Sequence, residues 1–241
     1  MTDEGSRSAT RALSILELLA DVERPLSLAE ITKELALPKT SVLALLRSLR
    51  SRNFATIDAE GRYGLGVQTF SVGAAYLHSM TPARAVETEL QLLANELSAA
   101  SHFAVLDGDE VIYLAKHDPP GSVIKLASSV GARLPATLTA VGKVQLAYAS
   151  VTATDDLDAG VLSELAEVRQ FGYAVDRGRT AAGICCVAAP VLNSDGCCGA
   201  IGVSYLLHDD RDIEAISEAV AMSARRASER LGARSKRVSH Q

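Results

Sequence analysis

The chain contains 241 residues, of which 48% are hydrophobic and 22% are charged, and its formal net charge is −5 at pH 7. This length suffices for one large or two small domains with buried cores, and the composition is that of a globular protein. No apolar run approaches the length needed to cross a bilayer, and the N-terminus lacks the charged and then apolar pattern of a signal peptide. We therefore expect a cytoplasmic protein without a membrane partner.

Residues 8–20 predict a helix in which Leu13, Leu16 and Leu19 or Ala20 are spaced for burial. Residues 27–50 then predict a short helix, a tight turn and a second helix, which together form a helix-turn-helix. A helical hairpin with one solvated side would show the same pattern, so this segment alone leaves DNA binding open. In the second helix the apolar side consists of Val42, Leu45, Leu46 and Leu49, and the outer side of Thr40, Ala44, Arg47 and Ser51.

A β-hairpin is predicted directly after these helices, with strands at 54–57 and 62–65 around a polar loop that contains Gly61. A hairpin in this position is the wing of a winged helix-turn-helix. The outer side of the preceding helix fits a major groove, because small residues allow close approach, hydroxyl groups reach phosphates or base edges, and an arginine can bind guanine through two hydrogen bonds. The segment therefore predicts DNA binding.

The charge distribution agrees with this interpretation. Residues 1–80 carry nine basic and nine acidic side chains, so the whole excess of acid lies in residues 81–241. Residues 38–63 carry five basic side chains against two acidic ones. Because this local excess is modest, we expect one copy to bind DNA weakly and paired copies to be needed.

The rest of the chain predicts an α+β domain. A helix at 66–80 connects the two halves, and Thr81 is expected to cap the next helix, with Pro82 in its first turn. Strand and helix patterns then follow one another up to a final helix at 209–231, which indicates an antiparallel sheet flanked by helices. Strands are predicted at 102–106, 111–116, 122–127, near 133, at 172–176, 183–192 and 197–206, and the other helices at 81–99, 139–150 and within 155–170.

The four cysteines form two adjacent pairs, at 185–186 and 197–198. Metal-binding cysteines are usually separated by about two to four residues, so no metal ion is expected. Neighbours in a strand point to opposite faces, so one thiol of each pair should pack in the core and the other should face away, with a thiol sensor as the alternative. Solvated or capping roles are expected for the scattered histidines His102, His117 and His208.

Five segments, in order, resemble the IclR-type transcriptional regulators and together span nearly the whole chain. Each segment is weak by itself, but five in the right order at the right separations form a specific signal. The segments are 11–17 leading into the helix-turn-helix with 37–41, then 130–135, 139–147, 172–176 and 183–191.

The resemblance implies a winged helix-turn-helix domain at 6–65 (helix-turn-helix at about 27–50, wing at about 54–65), a linker helix at 66–80 and a GAF-like effector-binding domain at 81–234, with a polar tail at 235–241. It implies a homodimer, commonly paired into a homotetramer, that binds palindromic double-stranded operator DNA. A small-molecule effector is implied as the second partner, and no cofactor.

The resemblance also assigns an effector site. Ala140 and Val141 would offer backbone N–H groups at the start of a helix, where unpaired N–H groups and the helix dipole favour an anion. Asp176 and Cys186 match polar pocket positions of acid-binding members, and Ser204 matches a hydroxyl donor. From the residues alone, Asp176 fits a surface salt bridge equally well and Cys186 fits a small core residue.

Gly202 departs from that pattern, because acid-binding members often carry serine there. One hydrogen bond to a carboxylate is then missing, and the extra room would admit a larger ligand. Five tyrosines outside the wing either line an aromatic-ligand pocket or pack in the core. They are Tyr76, Tyr113, Tyr148, Tyr173 and Tyr205.

These patterns lead to the hypothesis of a ligand-responsive regulator, a repressor rather than an activator, that controls a metabolic or catabolic operon and responds to a small organic acid or an aromatic acid. An enzyme with Ser204 or Cys186 as nucleophile is the alternative, but neither has a histidine beside it in a recognisable pattern. In the DNA complex, four residues are expected in the major groove and three on phosphates. The groove residues are Thr40, Ser41, Ala44 and Arg47, and the phosphate residues are Lys39, Arg50 and Arg62.

Overall fold

The computed structural model describes residues 6–22, 24–121, 129–149, 157–209 and 211–233. It divides into two compact units, Met1–Ser79 and Met80–Gln241, which are described in turn. The strand predicted at 122–127 and the polar tail at 235–241 lie outside the described residues. No helix in the described ranges combines the length and the apolar character that a membrane span requires.

The N-terminal unit contains three helices, a two-stranded hairpin and a fourth helix. Its core is formed by one side of each of the first three helices and by Leu26 and Tyr63, whose backbones pair in an isolated bridge. The predicted winged helix-turn-helix is therefore confirmed. The elements are α1 (Arg7–Asp21), α2 (Leu28–Glu34), α3 (Lys39–Ser51), β1 (Ala55–Ile57), β2 (Tyr63–Leu65) and α4 (Val67–Ser79).

The buried side of α1 differs from the prediction. Ile15 and Leu19 are buried, whereas Leu13 and Ala20 are exposed. Burial follows the i, i+4 spacing of Ile15 and Leu19, which places both on the side that meets α3 and the hairpin. The leucines of α1 are spaced so that more than one side of the helix could be buried, and their spacing alone does not show which side is.

The C-terminal unit is a six-stranded antiparallel sheet with helices on both faces, as predicted for an α+β domain. The strand order is β5-β4-β3-β8-β7-β6, so the long β7–β8 hairpin lies inside the sheet and is covered on both sides. The elements are α5 (Thr81–Leu97), β3 (Ala100–Asp107), β4 (Glu110–His117), β5 (Arg133–Pro135), α6 (Ala140–Tyr148), α7 (Ala159–Phe171), β6 (Ala174–Arg177), β7 (Ile184–Asn193), β8 (Gly196–Leu206) and α8 (Ile213–Arg230).

Two apolar layers sandwich this sheet. On one face, α5 and α8 pack on alternate sheet residues such as Phe103, Val187 and Ile201. On the other face, α6 and α7 pack on the intervening residues, which are small ones such as Ala188 and Ala200. Small sheet residues let α6 approach closely, and this is the face on which the predicted effector residues fall.

The start of α5 also differs from the prediction. Met80 is the cap residue, Thr81 is the first helical residue, and neither side chain caps the helix. Helix α5 ends at Ser98, which has a left-handed backbone with φ of 45°. The Thr-Pro pair thus predicts where the helix begins, but the helix starts one residue earlier than expected, at Thr81.

A buried carboxylate joins α5 to α8. Glu89 is fully buried and lies 2.8 Å from Arg226 through Oε2 and 2.7 Å from Arg230 through Oε1. The two arginines are partly exposed, so they keep water on one side while neutralising a charge that would otherwise be costly to bury. The sequence pattern gave no indication of this pair of contacts.

We predict that the Arg226→Leu/Arg230→Leu double variant loses about 3 kcal/mol or more of unfolding free energy, because it leaves the buried carboxylate of Glu89 without its cations. Adding Glu89→Leu should recover most of that loss, since apolar side chains often replace buried ion pairs without cost. Urea denaturation of the three proteins, with Arg225→Leu on the exposed side of α8 as control, measures both effects. A triple variant no more stable than the double variant would contradict the prediction.

Candidate DNA interface and effector site

Helix α3 presents the predicted DNA-contact residues on one open side. Val42 and Leu46 anchor the opposite side in the core. Because the core fixes the rotation of α3, the outer residues lie on the side away from the described core of the unit. Lys39, Thr40, Ala44, Arg47 and Arg50 are exposed, and Ser41 is half-buried.

Arg62 is the predicted DNA contact that does not lie on α3. It stands just before β2, and its Nη1 atom lies 3.3 Å from Oε2 of Glu30 and donates a hydrogen bond to the carbonyl oxygen of Pro25. The wing is thereby tied to α2. One guanidinium nitrogen of Arg62 is thus engaged by α2 and the segment before it, while 44% of the side chain remains exposed.

Glu30 is the centre of this small network. It receives a hydrogen bond from the backbone N–H of Ser27 at 2.8 Å, while its own N–H donates to the Ser27 hydroxyl, which is a capping box. Arg24 lies 2.8 Å from its other carboxylate oxygen. The hydrogen bonds from Ser27, followed by the contact with Arg24, lower the pKa of Glu30 from 4.5 to about 2.

This shift predicts how the stability of the N-terminal unit depends on acid. The folded state holds the Glu30 proton less tightly than the unfolded state does, so the stabilisation is complete above pH 4.5 and is lost as the pH falls towards about 2. Glu30→Gln should lower the melting temperature at pH 7 and should reduce its fall across that acid range. Circular dichroism melts against Glu34→Gln, which removes the same charge from an exposed position on α2, test this. Parallel pH profiles for the two variants would contradict it.

The effector residues predicted in the C-terminal unit come together on the α6 face of the sheet. Asp176 pairs across strands with Cys186, and Cys186 pairs with Ser204, so these three form one row over β6, β7 and β8. The next row runs from Ala188 through Gly202 to β3. These residues, far apart in the sequence, are thus nearest neighbours in the sheet.

The N-terminus of α6 lies over these rows. Thr139 caps the helix, since its hydroxyl accepts a hydrogen bond from the N–H of Gly142 at 3.0 Å and its carbonyl accepts one from Lys143. The N–H groups of Ala140 and Val141 belong to the first turn, where a helix offers no backbone acceptor. A Cβ atom built on Gly142 would lie 2.2 Å from the carbonyl oxygen of Ala136, so only glycine lets the helix start this close to the preceding segment.

Asp176 is 1% exposed, so the surface salt-bridge interpretation is wrong. Its carboxylate accepts hydrogen bonds from the backbone N–H groups of Arg179 at 2.9 Å and Thr180 at 3.1 Å. Both oxygens therefore hold the turn that follows β6. Thr180 in turn donates its hydroxyl proton to the carbonyl oxygen of Leu138, which ties this turn to the segment before α6.

The other polar groups of the site are uncharged. The Sγ atom of Cys186 lies 3.0 Å from the hydroxyl of Ser204. Burial raises the pKa of Cys186 to about 12, with the nearby charge of Asp176 adding to the effect, so this thiol stays protonated at neutral pH. Its neighbour Cys185 is fully buried on the opposite face of the sheet, which confirms the predicted division of this pair. In the second pair both thiols are half-buried, and Cys198 packs against the core between the sheet and α8.

The sequence interpretation did not place His102 near the predicted effector residues, whereas it did name Tyr113 among five tyrosines for a ligand pocket or the core. His102 is 2% exposed, so the solvated or capping role expected for it is wrong, and its ring meets the ring of Tyr113 edge-on at 5.2 Å. Burial, together with the charge of Lys116, lowers the pKa of His102 to about 3, and the imidazole is neutral. Burial and the proximity of Cys186 and Asp176 raise the pKa of Tyr113.

No group of three or more histidine, cysteine or acidic residues that could hold a metal ion occurs within the described ranges. His117 and His208, for which solvated or capping roles were also expected, lie at the surface of the unit. His117 is half-exposed with its Nε2 atom 2.9 Å from Glu87, and His208 is mostly exposed.

A winged helix-turn-helix followed by a helix-covered antiparallel sheet defines a DNA-binding regulator of transcription. Comparison with protein families identifies it more closely: the IclR helix-turn-helix domain matches residues 8–59, and the C-terminal domain of the bacterial transcriptional regulator IclR matches residues 74–229. The chain belongs to the IclR family. It is a DNA-binding transcriptional regulator and not an enzyme.

Two known regulators are similar to this chain over nearly its full length. The HTH-type transcriptional regulator XynR of Escherichia coli is 28% identical over 94% of this chain and 97% of its own. The transcriptional repressor AllR of the same species is 26% identical over 96% and 93%.

Solved structures show the same fold. A regulator from Alicyclobacillus acidocaldarius is 28% identical, with a TM-score of 0.83 over 94% of this chain and 99% of its own. An IclR homologue from Microbacterium hydrocarbonoxydans, complexed with 4-hydroxybenzoate, has a TM-score of 0.81 at 19% identity over 93% and 98%. The α+β fold class is thereby confirmed.

Proposed function

We propose that this protein is a ligand-responsive repressor of a metabolic or catabolic operon that acts in the cytoplasm as a homodimer, paired into a homotetramer, on palindromic operator DNA. The proposal divides the chain into a DNA-binding domain at 6–65, a linker helix at 66–80, an effector-binding domain at 81–234 and a tail at 235–241. The observation that carries it is that one chain has both an exposed side of α3 and a buried polar cluster at the N-terminus of α6.

In the proposed complex, α3 enters the major groove. Thr40, Ser41, Ala44 and Arg47 face base edges, because these residues line the exposed side of α3. Lys39 and Arg50 contact phosphates on either side, and Arg62 joins them. A closed dimer is symmetric, so its operator carries two half-sites in inverted orientation.

The proposed effector is a small organic acid or an aromatic acid that carries a single negative charge. The N–H groups of Ala140 and Val141 favour one carboxylate. Cys186 and Ser204 supply neutral hydrogen-bonding groups, and the carboxylate of Asp176 would repel a second anionic group. The relative that binds 4-hydroxybenzoate shares the fold and gives a precedent for an aromatic acid. The relative AllR, a repressor by name, supports repression.

The proposed dimer contact is α4. Within this chain none of its residues is buried, and Phe70 is 75% exposed and Val67 70% exposed. Val67, Phe70, Ala74 and Leu77 lie along one side of this helix, and the first two are exposed while the last two are half-buried. An isolated helix of this length is marginal in water, so it needs a partner, and a second copy of α4 offers an identical apolar surface.

The effector controls DNA binding only if it binds one arrangement of the paired DNA-binding domains better than the other. In the proposed mechanism, the effector changes the position or rigidity of α6, and the chain transmits this through α5 to α4. The two DNA-binding domains of the dimer can then no longer contact both half-sites of the operator at the same time.

The first test separates base contacts from phosphate contacts. Arg47→Ala should cost about 1–3 kcal/mol on operator DNA and relax sequence specificity, whereas Lys39→Ala should weaken operator and random DNA equally and reduce the salt dependence. Fluorescence anisotropy with DNA from upstream of the gene, against random duplex and at two salt concentrations, measures this. Equal losses on both duplexes for both variants would contradict the division of roles.

The second test concerns the dimer. Phe70→Asp places a charge in the proposed contact and should shift the protein from dimer to monomer in analytical ultracentrifugation, with a parallel loss of operator affinity. Leu162→Asp, on an exposed apolar position of α7, is the matched control and should leave the dimer intact. A Phe70→Asp protein that remains a dimer would contradict the proposed contact.

A further inference from the structure

His102 occupies the space in which a side chain at residue 202 would otherwise lie. His102 and Gly202 are direct partners on β3 and β8. A Cβ atom built on Gly202 would lie 2.5 Å from Nε2 of His102 and 3.1 Å from Cγ1 of Val141. The imidazole and the side chain of Val141, from the first turn of α6, therefore both abut the glycine, beside the row that contains Cys186 and Ser204.

The imidazole has an unsatisfied polar atom at this position. The Nδ1 atom of His102 is buried and has no hydrogen-bond partner among the described residues. Buried polar groups are nearly always paired, and leaving one unpaired costs more than a net hydrogen bond contributes. An apolar side chain of similar size would fill the same volume beside Tyr113 without that cost. Packing alone thus gives no reason for a histidine here.

We infer that His102 is an effector-binding residue, which donates or accepts a hydrogen bond to an uncharged oxygen of the effector and restricts the site to ligands that fit beside its ring. This inference rests on the proposed function, because it adds a residue to the proposed effector site. A neutral imidazole carries one donor and one acceptor. It therefore matches a hydroxyl or carbonyl group, while the N–H groups of α6 bind the carboxylate.

The ligand class that follows is narrower than an acid in general. Effectors with a hydroxyl or oxo group in addition to a single carboxylate should bind better than the same acids without it. Matched pairs of probes isolate this preference, namely lactate and pyruvate against propionate, and 4-hydroxybenzoate against benzoate.

The experiment measures the binding of these five acids to the full-length protein by isothermal titration calorimetry. His102→Leu should lower the affinity for the oxygen-bearing member of whichever pair binds by about tenfold, and should leave its plain partner within about threefold. His102→Gln, which keeps a donor and an acceptor, should retain most of the preference. His117→Leu, the same substitution at the outer end of β4, should change neither the affinity for the acids nor the preference for the oxygen-bearing one.

The close contact at residue 202 provides a rescue test. Gly202→Ser alone should abolish binding, because its Cβ atom displaces the imidazole. The double variant His102→Ala/Gly202→Ser removes that clash and places a hydroxyl group in the vacated space, and it should regain affinity for the oxygen-bearing acids. Circular dichroism melts confirm that each variant is folded, and if His102→Leu is not, His102→Gln and the double variant carry the test.

Two results would overturn the inference in distinguishable ways. If a probe acid binds the wild type and His102→Leu binds every acid with unchanged affinity and selectivity, His102 is structural and the proposed effector site stands without it. If none of the five acids binds the wild type at millimolar concentration, the proposed effector class fails, and the inference fails with it.

Discussion

The register of the β7–β8 hairpin is the constraint on which the C-terminal unit depends. A shift of one residue would move every side chain of β8 to the other face of the sheet, so Ser204 and Gly202 would face α8 instead of α6. The turn between the strands and a β-bulge between Val191 and Leu192 together fix this register, because the bulge shifts the pairing by one residue before it reaches the site. The side-chain oxygen of Asn193 accepts hydrogen bonds from the N–H groups of Asp195 at 2.8 Å and Gly196 at 3.0 Å, and Gly196 has φ of 130°. A short polar turn and the bulge beside it, both some distance from the site, thus determine which side chains line it.

The same register explains the electrostatics of the site. Among the predicted effector residues, Asp176 carries the one carboxylate, and both of its oxygens are bonded to the backbone of the turn 177–180. The remaining groups are protonated or neutral at physiological pH, because burial opposes the charged form of His102 and of Cys186. The N-terminus of α6 is then the main source of positive potential among these groups, and its partial charge matches a single carboxylate better than a dianion.

Local patterns in the sequence predicted the elements well and the buried polar groups poorly. The side of α3 that faces the core follows from its helical period, and the β7–β8 hairpin follows from two apolar runs around an Asp–Gly turn. Thr81 and Leu13 show the limit of such patterns. The sequence allows the cap of α5 to lie at either of two residues and the buried side of α1 to include different leucines, and only tertiary packing selects between them.

Burial of a polar residue depends on partners that are distant in sequence. Glu89 is buried because Arg226 and Arg230 meet it from α8, which lies more than a hundred residues later. His102 is similar, since it is buried because Gly202 on β8 makes room for its ring. Strand alternation with Ala104 would have placed His102 on the same face as the small residues under α6. No local pattern, however, indicated that this face was the covered one, and only the pairing of β3 with β8 identifies it.

The connections around α6 show how occupation of the site would be felt in the rest of the domain. Lys143 of α6 lies 2.5 Å from Glu164 of α7, and Glu164 lies 2.7 Å from Arg179 in the turn that Asp176 holds. Burial opposes the ionisation of Glu164, but Lys143 and Arg179 outweigh it and lower the pKa of this carboxyl group, so the three charges act as one chain. If the proposed effector enters beneath α6, these ion pairs would couple a displacement of α6 to α7 and to the turn 177–180. A joint movement of this kind is what ligand control of DNA binding would require.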